Sequence, residues 1–136
     1  MKTTNYYNTF IEIADDCPVS NSEAPPQKGD KLTVANIQFD LISQNPYKFT
    51  SDEILFQVYA QKNGVKKADL DLEKEKFFSK GQPCFRSSPL TKRYGWGVHS
   101  DSDGRIALIA MDSDDYIKLK NDKKTKILKA MRSKKA

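Results

Sequence analysis

The sequence contains few of the residues from which metal sites and catalytic centres are usually built. It has a single histidine, His99, and two cysteines, Cys17 and Cys84, which stand far apart and outside any C-x-x-C pair. A zinc site needs about four such ligands at short spacings, so no metal is predicted. The glycine spacing of a P-loop or of a dinucleotide-binding turn is also missing, and no cofactor is predicted.

Long hydrophobic runs are equally scarce. The longest, IALIAM at residues 106–111, is far shorter than the roughly 20 residues that cross a bilayer. The opening MKTTNYYNTF has no apolar segment typical of a secretory signal. These absences predict a cytoplasmic protein without a membrane partner. In that compartment Cys17 and Cys84 are expected to be free thiols, with a disulfide between them as the alternative.

What the sequence does contain suffices for one folded domain. Its 136 residues include 14 aromatic side chains, which supply the buried surface that offsets the entropy of the chain. The length fits a single domain over residues 1–136. No internal repeat or low-complexity tract is present.

The net charge of +5 is unevenly distributed. Residues 117–136 carry nine lysines and arginines against one aspartate, whereas the rest of the chain is mildly acidic. The sequence therefore predicts a basic, helical C-terminal segment over 117–136, either continuous or broken into two pieces at Asn121-Asp122. Such a segment is typically a solvated helix face. It would also attract polyanions, so weak nonspecific association with nucleic acid is one hypothesis.

The order of the predicted elements indicates the fold class. NTFIEIA alternates like a strand, and a proline-rich loop follows it over 18–31. Three helices are predicted over 33–44, 50–62 and 68–80, the second of which begins with the capping box TSDE. A short strand at CFR (84–86), a hairpin and a helix starting near Asp112 or Ser113 come next. This order predicts an α+β domain whose small, mainly antiparallel sheet combines the N-terminal strand with the later hairpin and packs with three to four helices.

The hairpin sequence YGWGVHSDSDGRIALIAM is the most distinctive stretch. DSDG predicts a turn with a bulge at Gly104, which pairs Trp96 with Ala110. Side chains alternate along a strand, so Gly97 and His99 share one face and Trp96 points to the other. Interior strand glycines permit a close approach, for which one of the protein's own helices is favoured over a ligand or a second subunit. Trp96 is either a core anchor or, if exposed, a stacking platform.

A candidate anion site lies in a stretch without acidic residues. Between Phe77 and Ser100 there is no Asp or Glu, while basic and hydroxyl side chains alternate. Such donors are what a phosphate or carboxylate group needs. The candidate ligand-binding residues are Arg86, Ser88, Lys92, Arg93, Trp96 and His99.

The function that these patterns favour is non-enzymatic binding of an anionic small molecule or peptide at the 86–99 loop and hairpin. The alternative is a small enzyme that uses His99 or Cys84. Neither residue has a recognisable catalytic partner in the sequence, which argues against that alternative. Self-association through the glycine face of the hairpin is a further hypothesis, and the sequence does not predict the oligomeric state.

Segments spread over nearly the whole chain resemble a family of short uncharacterised bacterial proteins, a domain of unknown function. They are TTNYYNTFIEIADDCP, PPQKGDKLTVANIQFDLI, NPYKFTSDEILFQVYA, FFSKGQPCFRSSPLTKRYGWGVH and KAMRSKKA. The resemblance implies a bacterial origin. It implies no activity and no functional residue.

Overall fold

A computed structural model describes residues 2–27 and 29–133. It contains a four-stranded sheet in the order β3-β2-β1-β4. The strands are β1 (Thr9–Glu12), β2 (Trp96–Ser100), β3 (Ile106–Ala110) and β4 (Lys126–Lys129). β2 is antiparallel to both β1 and β3, whereas β4 runs parallel to β1. The predicted α+β class is therefore confirmed, and the sheet is mixed because of its fourth strand.

Five α-helices occur within the described ranges. They are α1 (Val34–Gln44), α2 (Ser51–Lys62), α3 (Leu70–Ser79), α4 (Pro89–Lys92) and α5 (Asp114–Lys120). The first two begin where the sequence predicts: Thr33 and Thr50 each accept a hydrogen bond from the backbone N–H three residues later. None of the described helices is long and apolar enough to cross a membrane.

The stretch at 84–86 is not a strand, so that prediction is wrong. Phe85–Ser87 forms a 3-10 turn. The carbonyl of Phe85 accepts hydrogen bonds from the backbone N–H of Ser88 (3.3 Å) and the hydroxyl of Thr91 (2.8 Å). These local bonds curl the backbone, so it cannot extend along the sheet.

The basic C-terminal segment breaks at Asn121-Asp122, and the part that follows is not the predicted second helix. α5 ends at Lys120, and the carboxylate of Asp122 then accepts hydrogen bonds from the N–H of Lys124 and the hydroxyl of Thr125. This turn reverses the chain into β4, which pairs with β1. The predicted helix over 117–136 is therefore wrong for 126–129, because pairing with a distant strand overrides the local helical pattern. Residues 134–136 of that prediction lie outside the described part of the chain.

The sheet separates two unequal layers. On one side Ile11 and Val98 belong to a buried cluster with Ile37 of α1 and Ile54 of α2. On the other side Phe10 and Ile109 pack against Tyr116 of α5. The rings of Phe10 and Tyr116 meet edge to face, with centroids 4.9 Å apart.

The hairpin has the predicted register, with Trp96 opposite Ala110 and Gly97 opposite Ile109. A Cβ atom at Gly97 would lie 2.6 Å from Cε1 of Phe10 and 2.9 Å from Cε2 of Tyr116. The close approach is therefore made by the protein's own α5 and β1. At Gly97 this face is therefore covered by side chains of the same chain.

Candidate functional site

The acid-free stretch folds into a turn whose donors are largely used within the protein. Nε of Arg86 donates to the carbonyl of Lys129 at 2.7 Å, and the backbone N–H of Met131 returns a hydrogen bond to Arg86. Ser88 is buried and caps α4 by accepting a hydrogen bond from the N–H of Leu90. Arg86 thus fastens the chain that leaves β4. Ser88 shapes the turn.

Lys92 and Arg93 stand at the C-terminal end of α4. Lys92 is half-buried and Arg93 exposed. Neither side chain makes a hydrogen bond or ion pair with another described residue. They keep free cationic groups, but the turn does not gather them with Arg86 around one position.

Trp96, on β2, packs against the loop that follows β1. Its Nε1 donates to the carbonyl of Glu23 at 2.8 Å, and its ring lies 5.4 Å from that of Phe39. Ser22 binds the same end of the hairpin by accepting a hydrogen bond from the N–H of Met111. The predicted loop 18–31 is thus held against the sheet, and Trp96 is one of its attachment points.

His99 projects from the face of β2 opposite to Trp96, so the structure does not bring these two predicted residues together. Its Nδ1 lies 2.8 Å from the hydroxyl of Tyr47. Burial lowers the pKa of His99 below the usual 6.5, while Asp101 and Asp122 act in the opposite direction. Tyr47 has a φ of 57°, a left-handed conformation that is uncommon for a tyrosine.

The two cysteines are free, so the disulfide alternative is wrong. Cys84 is half-buried, and its Sγ lies 3.3 Å from the hydroxyl of Tyr6. Burial, followed by this hydrogen bond, raises the pKa of Tyr6 to about 12. A phenol with this pKa stays protonated at neutral pH, so Tyr6 does not act as a general base toward the thiol.

The structure shows a recess between the helices. We call it the helical groove: a cavity of about 470 Å³ bounded by α1, α2, α3 and residues 82–89. Its apolar walls are formed by Val34, Leu55, Val58, Tyr59, Phe77, Pro83 and Pro89. The volume falls within the range of about 300–1,000 Å³ that is typical of small-molecule sites.

The polar lining of the helical groove is almost uncharged. It consists of Gln38, Lys62, Asn63, Gln82, Cys84, Ser87 and Ser88. Lys62 supplies the single charge of the described lining, and no carboxylate is part of it. The ammonium of Lys62 donates to the carbonyl of Leu32 at 3.2 Å, which leaves further N–H groups for a ligand. A groove of this kind suits an apolar molecule with one negative charge.

Most of this groove is not predicted by the sequence. Of the six predicted ligand-binding residues, Ser88 alone is among the described lining residues. Helical spacing placed Val34 on the apolar stripe of one helix and Leu55 and Tyr59 on that of the next, which is the signal that was available. Tyr59 packs on Phe77 of α3, with ring centroids 4.8 Å apart, so this wall depends on how two helices meet. Which part of an apolar surface stays uncovered follows from tertiary packing.

The basic residues at the end of α5 and after it are exposed, and two of them face acids. Nζ of Lys129 contacts the carboxylate of Asp15 at 2.5 Å, and Nζ of Lys120 lies 3.9 Å from that of Glu12. The pair of Lys129 and Asp15 is exposed on both sides, so it contributes little to stability. No group of three or more metal-binding side chains is found among the described residues.

The structure thus defines an α+β domain with an apolar groove that carries one cation. A family model described as a family of unknown function, DUF6157, matches residues 1–136. The chain belongs to this family, which confirms the resemblance seen in its sequence. No curated protein and no solved structure matches it.

Proposed function

We propose that the protein is a non-enzymatic binding domain of the bacterial cytoplasm that holds a small amphipathic molecule with one negative charge in the helical groove. The observation that carries the proposal is the lining: apolar walls, one ammonium group and no carboxylate among the described residues. The anionic ligand class expected from the sequence is retained. Its position moves from the 86–99 loop to the adjoining groove, and Ser88 belongs to both.

The apolar walls of the groove account for the affinity, and Lys62 accounts for the preference for a negatively charged ligand. Burial of apolar ligand surface contributes roughly 25 cal/mol per Å². Leu55, Tyr59 and Phe77 already line the groove and offer such a surface. Lys62 is exposed at the end of α2, so it attracts an anion at the mouth of the groove while the anion keeps part of its hydration.

The cytoplasm is proposed because both thiols are unpaired. Cys84 lines the groove and Cys17 lies at the edge of the main core, and neither is in a disulfide. Free thiols of this kind are typical of reducing compartments.

The proposal is tested with a pair of fluorescent dyes that differ in charge. Anilinonaphthalene sulfonate carries an anion on an aromatic body, and N-phenylnaphthylamine is a similar neutral molecule. We expect saturable binding of the sulfonate to the folded protein, weakened about fivefold by Lys62→Gln, because an ion pair at an exposed site contributes up to about 1 kcal/mol. Binding of the neutral dye should be unaffected by this variant.

The location is tested with two tryptophan substitutions at exposed positions. Val34 lines the groove and is 38% exposed, so Val34→Trp fills the mouth without disturbing the core. Ile117 on α5 is 59% exposed and lies outside the groove, so Ile117→Trp is the control. Equal dye binding by the two variants would show that the dye binds elsewhere and would contradict the proposal.

A further inference from the structure

We infer that the inner end of the groove recognises an uncharged carbonyl oxygen through the side-chain amide of Gln38. The inference rests on the proposed function and specifies the ligand further: a neutral hydrogen-bond acceptor at one end and the anion at the other. Gln38 is in the second turn of α1, is 4% exposed and lines the groove. A buried carboxamide at a cavity wall needs partners for both its oxygen and its nitrogen.

The contact with Ser88 fixes which end of the amide faces the ligand. Oγ of Ser88 and Oε1 of Gln38 are 2.7 Å apart, a distance typical of O–H···O rather than N–H···O hydrogen bonds. Oγ of Ser88 also accepts the N–H of Leu90, so the serine proton is directed to Gln38. The oxygen of the Gln38 amide is therefore already used, and its two N–H groups are left over.

Those N–H groups have no acceptor in residues 2–27 and 29–133. No described side-chain nitrogen is both sealed from solvent and unpaired, so the nitrogen of Gln38 is open to a space that it borders, which is the helical groove. A purely apolar ligand would displace water from these donors without replacing its hydrogen bonds, which lowers affinity. A carbonyl group on the ligand restores them.

The acceptor at this depth is expected to be neutral. Lys62, the charged residue of the described lining, binds the carbonyl of Leu32, which precedes α1, and so lies at the outer end. A carboxylate placed against Gln38 would be buried without a cation, which costs much more than burying an amide or ester carbonyl. The two ends of the groove therefore select two different groups.

The experiment compares decanoic acid with sebacic acid monoamide by isothermal titration calorimetry on the full chain. These probes share one carboxylate and a similar alkyl body, and the monoamide adds a neutral carbonyl at the far end. We expect the monoamide to bind about tenfold more tightly, as one satisfied hydrogen bond in a buried site allows. Gln38→Met, which keeps the side-chain volume but removes the donors, should abolish the difference.

Gln82→Met is the control, because Gln82 also lines the groove but its nitrogen already donates to the carbonyl of Phe77 at 2.8 Å. This variant should keep the tenfold preference. If Gln38→Met does not fold, Gln38→Leu replaces it, since leucine is a good helix former and also removes the donors.

The outcomes separate the two proposals. Equal affinity of the wild-type protein for both probes, or a preference that survives in a folded Gln38 variant, overturns the carbonyl inference and leaves groove binding intact. Absence of binding by both probes and by the sulfonate dye overturns the proposed function, and the inference falls with it.

Discussion

The two faces of the sheet are closed by different means. On one face, Ile11 and Val98 are part of a buried cluster that includes residues of helices, strands and turns. On the other face the buried cluster consists of Phe10, Ile109 and Tyr116. We call the side of the sheet that holds Phe10, Ile109 and Tyr116 the thin layer and the other side the thick layer. The thin layer packs closely because Gly97 has no side chain. The thick layer closes its core and still leaves the helical groove open between helices. The face covered by few residues closes through a close approach of backbone and side chains, whereas the face covered by several helices closes its core and keeps a cavity.

The largest loss of stability is predicted for a substitution that disrupts packing in the thin layer. Gly97→Ala places a methyl group 2.6 Å from the fully buried ring of Phe10, which cannot move away. We expect the free energy of unfolding to fall by about 3 kcal/mol, the upper range for overpacking. Urea denaturation followed by circular dichroism measures this loss.

Gly81→Ala is the control for that variant. Among the described residues, only Lys2 would lie within 4 Å of a Cβ at Gly81, at 3.9 Å, so the stability of this variant should change little. Equal losses in the two variants would mean that the tight contacts of Gly97 with Phe10 and Tyr116 do not explain its sensitivity.

The thin layer also shows how far sequence reasoning reaches. The DSDG turn fixed the register of β2 on β3 through local chemistry, and the alternation of side chains then placed Gly97 against a close neighbour. The identity of that neighbour, Tyr116, required the packing of α5. The strand at 126–129 was out of reach for a related reason: lysines on both sides of Ile127 and Leu128 fit a helix equally well, and only pairing with β1 decides.

A smaller loss of stability is predicted when a hydrogen bond in the thin layer is removed. The hydroxyl of Tyr116 accepts the backbone N–H of Ile13 at 2.9 Å, and burial raises the pKa of Tyr116 to about 12. Tyr116→Phe leaves that N–H unpaired and should cost about 1 kcal/mol of stability. Tyr7, which is 55% exposed, provides the control Tyr7→Phe, and the same denaturation experiment compares them. Indistinguishable variants would mean that ring packing alone holds α5.

The smallest effect concerns the half-buried rim of the same face, where His99 lies. Burial lowers the pKa of His99 in the folded state below the 6.5 expected for the unfolded chain. Between those two values the unfolded chain binds more protons, so stability is lost as the pH falls through 6.5. His99→Gln removes this contribution, and its free energy of unfolding should decline less than that of the wild type between about pH 7 and pH 5. Parallel pH profiles would contradict the assignment.

The candidate site was less accessible from sequence than the fold. Arg86, Ser88, Lys92 and Arg93 were grouped because they are close along the chain, but Arg86 and Ser88 serve the backbone and Gln38 instead of a shared ligand. Gln38 gives no signal in a sequence, since a glutamine on a helix is most often exposed. Its significance comes from burial at a cavity wall and from the use of its oxygen by Ser88. Both are products of tertiary structure.

The parallel pairing of β1 with β4 has a consequence for synthesis on the ribosome. β1 precedes both of its partners by most of the chain, since β2 spans Trp96–Ser100 and β4 spans Lys126–Lys129. At about 5–20 residues per second, the nascent chain carries Phe10 and Ile11 without strand partners for several seconds. A chain released before Lys126 would keep one edge of β1 open, and an open apolar edge is a template for aggregation. Premature termination late in translation should therefore be more harmful than the few missing residues suggest.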